Sequence, residues 1–209
     1  MRNSLHMAHI KALKKLFDNK VAGYLPDFHY SKELDAASYL AKGRMAYLSC
    51  KGGWYRALLI DIPPTVSEAY FAPNISWART QEEIKNISKY GAINKSNKLV
   101  GEIGCMQIEE IWDPHWKNRR DHSFGAFYFS TKDWGSIDLI EGREILYTIE
   151  EATNDVIHAF ETAWSYIEKY AIFFLDNIEY FIGVEYGALD TAVEALMSSR
   201  MTAVQGKKL

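Results

Sequence analysis

Cysteine, proline and long apolar runs are all scarce in this chain of 209 residues, which has two cysteines and five prolines. Cys50 and Cys105 stand alone, each inside an apolar, strand-like segment. That pattern excludes a CxxC redox pair or a paired-cysteine zinc site and suits two buried free thiols. The longest apolar stretch, Ala171 to Leu175, is far shorter than the roughly 20 residues a membrane helix needs, so no membrane partner is expected. The first twenty residues are basic and mildly amphipathic, without the continuous apolar segment and small-residue cleavage site of a secretory leader, so a cytoplasmic location is expected. Catalytic signatures are missing as well. There is no glycine-rich phosphate loop after a strand, no Gly-x-Ser-x-Gly elbow and no His-Glu-x-x-His pair, so neither a cofactor nor a metal is expected.

What is present belongs to a folded domain. An apolar fraction of 48% with 24% charged residues fits a globular chain, and the length suffices to bury a core without disulfides or metals. One domain over 1–209 is expected, with residues 1–8 and 204–209 as loose tails. Ile10, Leu13, Leu16 and Phe17 predict a short amphipathic helix over His9 to Asn19, while Leu25 to Lys42 reads ambiguously. From Arg44 the texture changes to short apolar runs broken by turn formers. Two of them flank Lys51-Gly-Gly53 as a hairpin, and Glu68 to Ile75 follows as a third strand, with Pro73 marking its end or an edge. Thr80-Gln-Glu-Glu83 is a capping box opening a helix that Gly91 closes. Ile103 to Trp112, Ser123 to Ser130 and Trp134 to Ile140 read as further strands. Thr148-Ile-Glu-Glu151 is a second capping box, opening a long helix whose stripe runs Ile149, Ala152, Val156, Phe160, Ala163, Ile167 and Ala171. Asp190 to Met201 reads as a last helix. Strands grouped together between helices predict the α+β class: a mostly antiparallel sheet of about five to six strands, flanked by an N-terminal helix and a C-terminal helical segment.

Charge is the least random feature. From Asp133 to Glu194 there are 14 acidic residues against Arg143 and Lys169 alone, so a net charge of −3 hides a segment 12 negative and a remainder 9 positive. Glu150, Glu151, Asp155, Glu161 and Glu168 lie off the apolar stripe of the long helix and form a candidate acidic face. The ordinary alternative is a solvated helix surface, partly paired with the basic half of the fold. The loop Asp113 to His122 is the second candidate, because Trp116, Arg119 and Arg120 are the residue types that dominate binding hot spots. Its histidines and aspartates match no metal-ligand spacing. The acidic third would repel phosphate, so nucleic acid is not an expected partner. A hydrolase assembled from scattered residues such as His29, Cys105, Glu109 and His115, or a small-ligand binder with a pocket between sheet and long helix, is the alternative class.

The order of an N-terminal helix, a hairpin at Gly52-Gly53, a strand ending in Asn74-Ile-Ser-Trp77 and a closing helix beginning Ile149-Glu-Glu-Ala-Thr153 resembles small bacterial α+β proteins of the polymorphic-toxin immunity type. That resemblance implies a non-enzymatic, cytoplasmic protein-binding module. Its partner would be a protein, a basic toxin domain, occluded through the acidic helical face or the aromatic and basic loop.

Overall fold

A computed structural model describes residues 2–36, 43–62, 70–90, 99–112, 127–128 and 149–205. The predicted α+β architecture is what it shows. The elements run α1 (Arg2–Tyr24), β1 (His29–Tyr30), α2 (Lys32–Ala36), β2 (Gly43–Lys51), β3 (Trp54–Ile62), β4 (Tyr70–Ala78) and α3 (Gln81–Tyr90). There follow β5 (Gly104–Gln107), β6 (Phe127–Tyr128), α4 (Ile149–Tyr166), α5 (Phe173–Asp176), α6 (Ile178–Phe181) and α7 (Leu189–Gln205). Every described strand pairing is antiparallel, in the order β1-β2-β3-β4-β5, with β6 also against β4.

The hairpin forms where the glycines stand. Gly52 and Gly53 have φ of 61° and 77°, the left-handed pair that a two-residue hairpin turn requires and that side chains resist. With Lys51 thereby set opposite Trp54, alternate residues of β3 fall on opposite faces. Trp54, Leu58, Ile60 and Ile62 enter a large core shared with α1, α4, α5 and α6. Ala57 and Leu59 enter a smaller one closed by Leu34 of α2 and Ile84 of α3. Burial on both faces explains why WYRALLIDI reads as a nearly continuous apolar run.

Pro73 neither ends β4 nor lies on an outer strand. It faces Ile60 of β3, while on the other side β6 pairs only with Tyr70 and Phe71 and β5 only with Asn74 to Trp77. The missing N–H therefore falls in a gap between two described partners. The strand expected over Ile103 to Trp112 is shorter than predicted: after Gln107 the chain turns into a 3₁₀ segment, Ile108–Ile111. There the Glu110 carboxylate accepts the Gln107 N–H at 3.3 Å, a local bond that competes with the ladder. The Thr80 box forms as read, Thr80 Oγ1 accepting from Glu83 N at 3.2 Å and Glu83 Oε2 from Thr80 N at 3.0 Å. Gly91, Thr148, the loop Asp113 to His122 and the segment Trp134 to Ile140 lie outside the described residues.

The helix predicted over His9 to Asn19 extends at both ends, since Leu13, Phe17 and Val21 repeat every fourth residue and all are buried. Phe17 meets Phe71 of the sheet and Phe160 of α4 edge-on, at 5.8 and 4.8 Å, so α1 is wedged between them. Of the long-helix stripe, Val156, Phe160, Ala163, Ile167 and Ala171 are fully buried. The helix widens into a π segment at Ile167–Ile172. Wider turns bring Tyr166 and Tyr170 onto one side, where Trp112 stacks on both at 4.6 and 5.1 Å. The run then breaks at Asn177, whose Nδ2 donates back to the Phe173 carbonyl at 2.7 Å, and α6 follows with Glu179 and Tyr180 beside the hairpin tip. No helix among the described residues is long and apolar enough to cross a membrane.

Candidate functional site

The acids of the last third divide into two groups with opposite fates. On α4 Glu150, Asn154, His158, Glu161 and Ser165 are all exposed, as is Glu168 in the π segment that continues it. Successive steps of three or four residues place them on one stripe opposite the buried one. Among the described residues, Glu150, Glu161 and Glu168 take part in no ion pair. The hydroxyls between them fold back on their own helix, Ser165 Oγ donating to the Thr162 carbonyl at 2.7 Å and Thr162 Oγ1 to the His158 carbonyl at 3.0 Å. Glu151 and Asp155 lie on the same helix, but their side chains are outside the described set. So are Trp116, Arg119 and Arg120, and the structure neither joins them to the acidic stripe nor separates them from it.

The lysines of α1 do not cancel this stripe. Lys14 lies over the Tyr30 ring at 4.9 Å and Lys20 over Tyr24 at 4.6 Å. Neither helix sends a charged side chain to the other among the described ion pairs.

At the α5–α6 corner, by contrast, cations from the opening half do neutralise the carboxylates. Arg56 of β3, 2% exposed, donates Nη1 to Asp176 Oδ1 at 2.5 Å and Nη2 to Ser49 Oγ at 2.7 Å. Lys51 stands 3.4 Å from the same oxygen. Glu179 Oε1 accepts from Trp54 Nε1 at 3.2 Å and lies 3.8 Å from Arg79, whose guanidinium covers the Trp54 ring at 3.6 Å. Between hairpin tip and corner lies a cleft of about 390 Å³, walled by Lys51, Trp54 and Arg56 on one side and Asp176, Glu179 and Tyr180 on the other. None of these six stands out as a binding residue from sequence alone. The one signal the sequence offers is an arginine in the middle of an apolar strand, WYRALLIDI.

A second buried arginine is purely internal. Arg44 grips Asp61 with Nε at 2.5 Å and Nη2 at 3.0 Å, and Asn74 Nδ2 joins the same carboxylate at 3.0 Å. This ties three strands together on the smaller core's face.

Of the scattered hydrolase set, His115 lies outside the described residues, and His29 and Cys105 are not brought together. His29 sits on β1 and Cys105 on β5, opposite ends of the five-strand path, and four strand spacings put them roughly 19 Å apart. Burial pushes the Cys105 thiol up to about 11, the wrong direction for a nucleophile. Tyr186 is raised by burial to about 12, and Tyr30 to about 12 by its hydrogen bond to Asp35. Cys50 corrects the reading of two buried thiols: it is exposed, near the end of β2 beside the hairpin turn, while Cys105 is buried as expected. No group of three His, Cys, Asp or Glu side chains is gathered as for a metal among the described residues.

The chain matches no protein-family model, no curated protein and no solved structure.

Proposed function

We propose that this chain is a non-enzymatic protein-binding module of the immunity type, acting in the cytoplasm to neutralise a basic toxin domain that docks on the outward face of α4. The observation that carries the reading is the contrast in charge pairing. Asp176 and Glu179 are held by Arg56, Lys51 and Arg79, whereas Glu150, Glu161 and Glu168 project unpaired among the described residues, along a stripe roughly 27 Å long at 1.5 Å per residue. Unpaired exposed carboxylates contribute little to folding. They do set a field that accelerates encounter with a cationic surface and specifies its orientation. Affinity would then come from desolvated aromatic and arginine contacts, for which Trp116, Arg119 and Arg120 are the candidates.

The test is co-purification with the product of the neighbouring gene, followed by kinetics of the complex with Glu150→Lys, Glu161→Lys and Glu168→Lys combined. The expected result is an association rate at least about tenfold slower at low salt, a shallower salt dependence, and a smaller change in dissociation. Binding with unaltered rate and salt dependence would eliminate docking on this face.

A further inference from the structure

We propose that the cleft between the β2–β3 turn and the α5–α6 corner binds a small zwitterion of the α-amino acid class, with an ammonium group, a carboxylate and an apolar side chain. The argument rests on hydrogen-bonding capacity left over after the cleft's own ion pairs are made. Arg56 is buried and fixes Asp176 through Oδ1 at 2.5 Å, leaving Oδ2 without a partner among the described residues. Glu179 is engaged through Oε1 by Trp54 and Arg79, and its Oε2 is likewise unengaged. Two acceptors with the charge to hold an ammonium therefore stand on the helical wall. On the hairpin wall Lys51, 58% exposed, has two long contacts among the described residues, 3.4 Å to Asp176 and 3.8 Å to Asp27. Its donors are free to take a carboxylate, and because Arg56 retains Asp176, drawing Lys51 away does not release that wall.

Charge balance selects the ligand further. Lys51 faces the second carboxylate oxygens of Asp176 and Glu179 across the opening, so a purely cationic or purely anionic ligand would engage one wall alone, whereas a zwitterion engages both. The volume of about 390 Å³ is at the small end of ligand pockets. Leu175 and Ile178 line its floor, and Tyr180, 54% exposed, stands at the rim. These surfaces suit an aliphatic or aromatic side chain.

The experiment is isothermal titration of the full chain with L-leucine and L-phenylalanine. Phenylpropionate and phenethylamine serve as analogues lacking the ammonium and the carboxylate. Saturable one-site binding is expected, with both analogues at least about tenfold weaker, since each forfeits a charge-assisted contact. Lys51→Met and Glu179→Gln, both at exposed positions and checked for unchanged melting, should each weaken phenylalanine binding at least about fivefold. The proposal is overturned if neither amino acid binds saturably below about 10 mM, if phenylpropionate binds as well as phenylalanine, or if both variants bind like the parent.

Discussion

Placing a methyl group on Gly104 is a sharp test of how the sheet positions the α5–α6 corner, because two effects of opposite sign compete there. Glycine inside a strand is ordinarily a weakness, and alanine would stabilise by about 0.5–1 kcal/mol through the unfolded chain. Gly104, however, pairs directly with Trp77 across β4 and β5. A Cβ at this position would lie 1.8 Å from Cζ2 of the indole and 2.2 Å from Cε2, well inside contact distance. The ring cannot swing away freely, being fully buried, with Nε1 donating to the Gly101 carbonyl at 2.9 Å and its face meeting Phe174 edge-on at 5.1 Å. Overpacking costs about 1–3 kcal/mol, and a lost buried hydrogen bond about 1 kcal/mol. The sum, less the entropic gain, makes Gly104→Ala destabilising by about 1–3.5 kcal/mol, about 2 at the centre. Urea unfolding followed by far-UV circular dichroism should show the midpoint fall by about 1 M at a slope of about 2–3 kcal/mol/M. Trp77→Phe removes the benzo ring that the methyl strikes, so adding Gly104→Ala to it should cost little, with a coupling above about 1 kcal/mol. A neutral or stabilising Gly104→Ala, or strict additivity with Trp77→Phe, would refute the packing argument. Phe174 stacks in turn on Phe181 at 4.9 Å, so a displaced Trp77 should also weaken any ligand bound at the corner.

Two further outcomes follow from the titrating groups. The Tyr30 phenol, held up to about 12 chiefly because it donates to the Asp35 carboxylate and further by burial, should titrate lower in Asp35→Asn, toward the ordinary tyrosine value of about 10, read by absorbance at 295 nm against Tyr30→Phe. Because the folded value is the raised one, the stability from this bond is fully present below pH about 10 and lost as pH rises to about 12; a melting profile that Tyr30→Phe leaves unchanged across that window would count against it. For the cysteines, a thiol reagent should modify one residue per native chain, Cys50, and reach Cys105 only on unfolding. Two fast thiols, or none, would contradict the burial assigned to them.

Local chemistry accounts for what could be read without coordinates. Two adjacent glycines between apolar runs specify the hairpin, since only a left-handed pair matches the strand twist. A Thr and a Glu three residues apart specify where α3 starts, and a stripe recurring every three or four residues specifies the buried side of α4. Charge periodicity likewise placed Glu150, Glu161 and Glu168 outward, because whichever residues flank a buried stripe must meet water. The same reasoning failed where distant segments decide. Cys50 reads as buried from its apolar neighbours, yet it falls near the end of β2 beside the turn, where it stays exposed. The strand after Gly104 ends at Gln107, still opposite Asn74, where the Glu110 carboxylate takes the Gln107 N–H as the chain enters its 3₁₀ segment.

From its own residues, then, the chain determines its element types, its turn positions, and the side of each helix that faces water, since these follow from backbone sterics and periodicity within a few residues. Tertiary structure alone decides which charges cancel. Asp176 and Glu168 stand eight positions apart in the same acidic segment, but the packing of α5 sets one against Arg56, 120 residues earlier in the chain, and leaves the other in solvent. Coulomb energy depends on distance and local dielectric, which only packing sets.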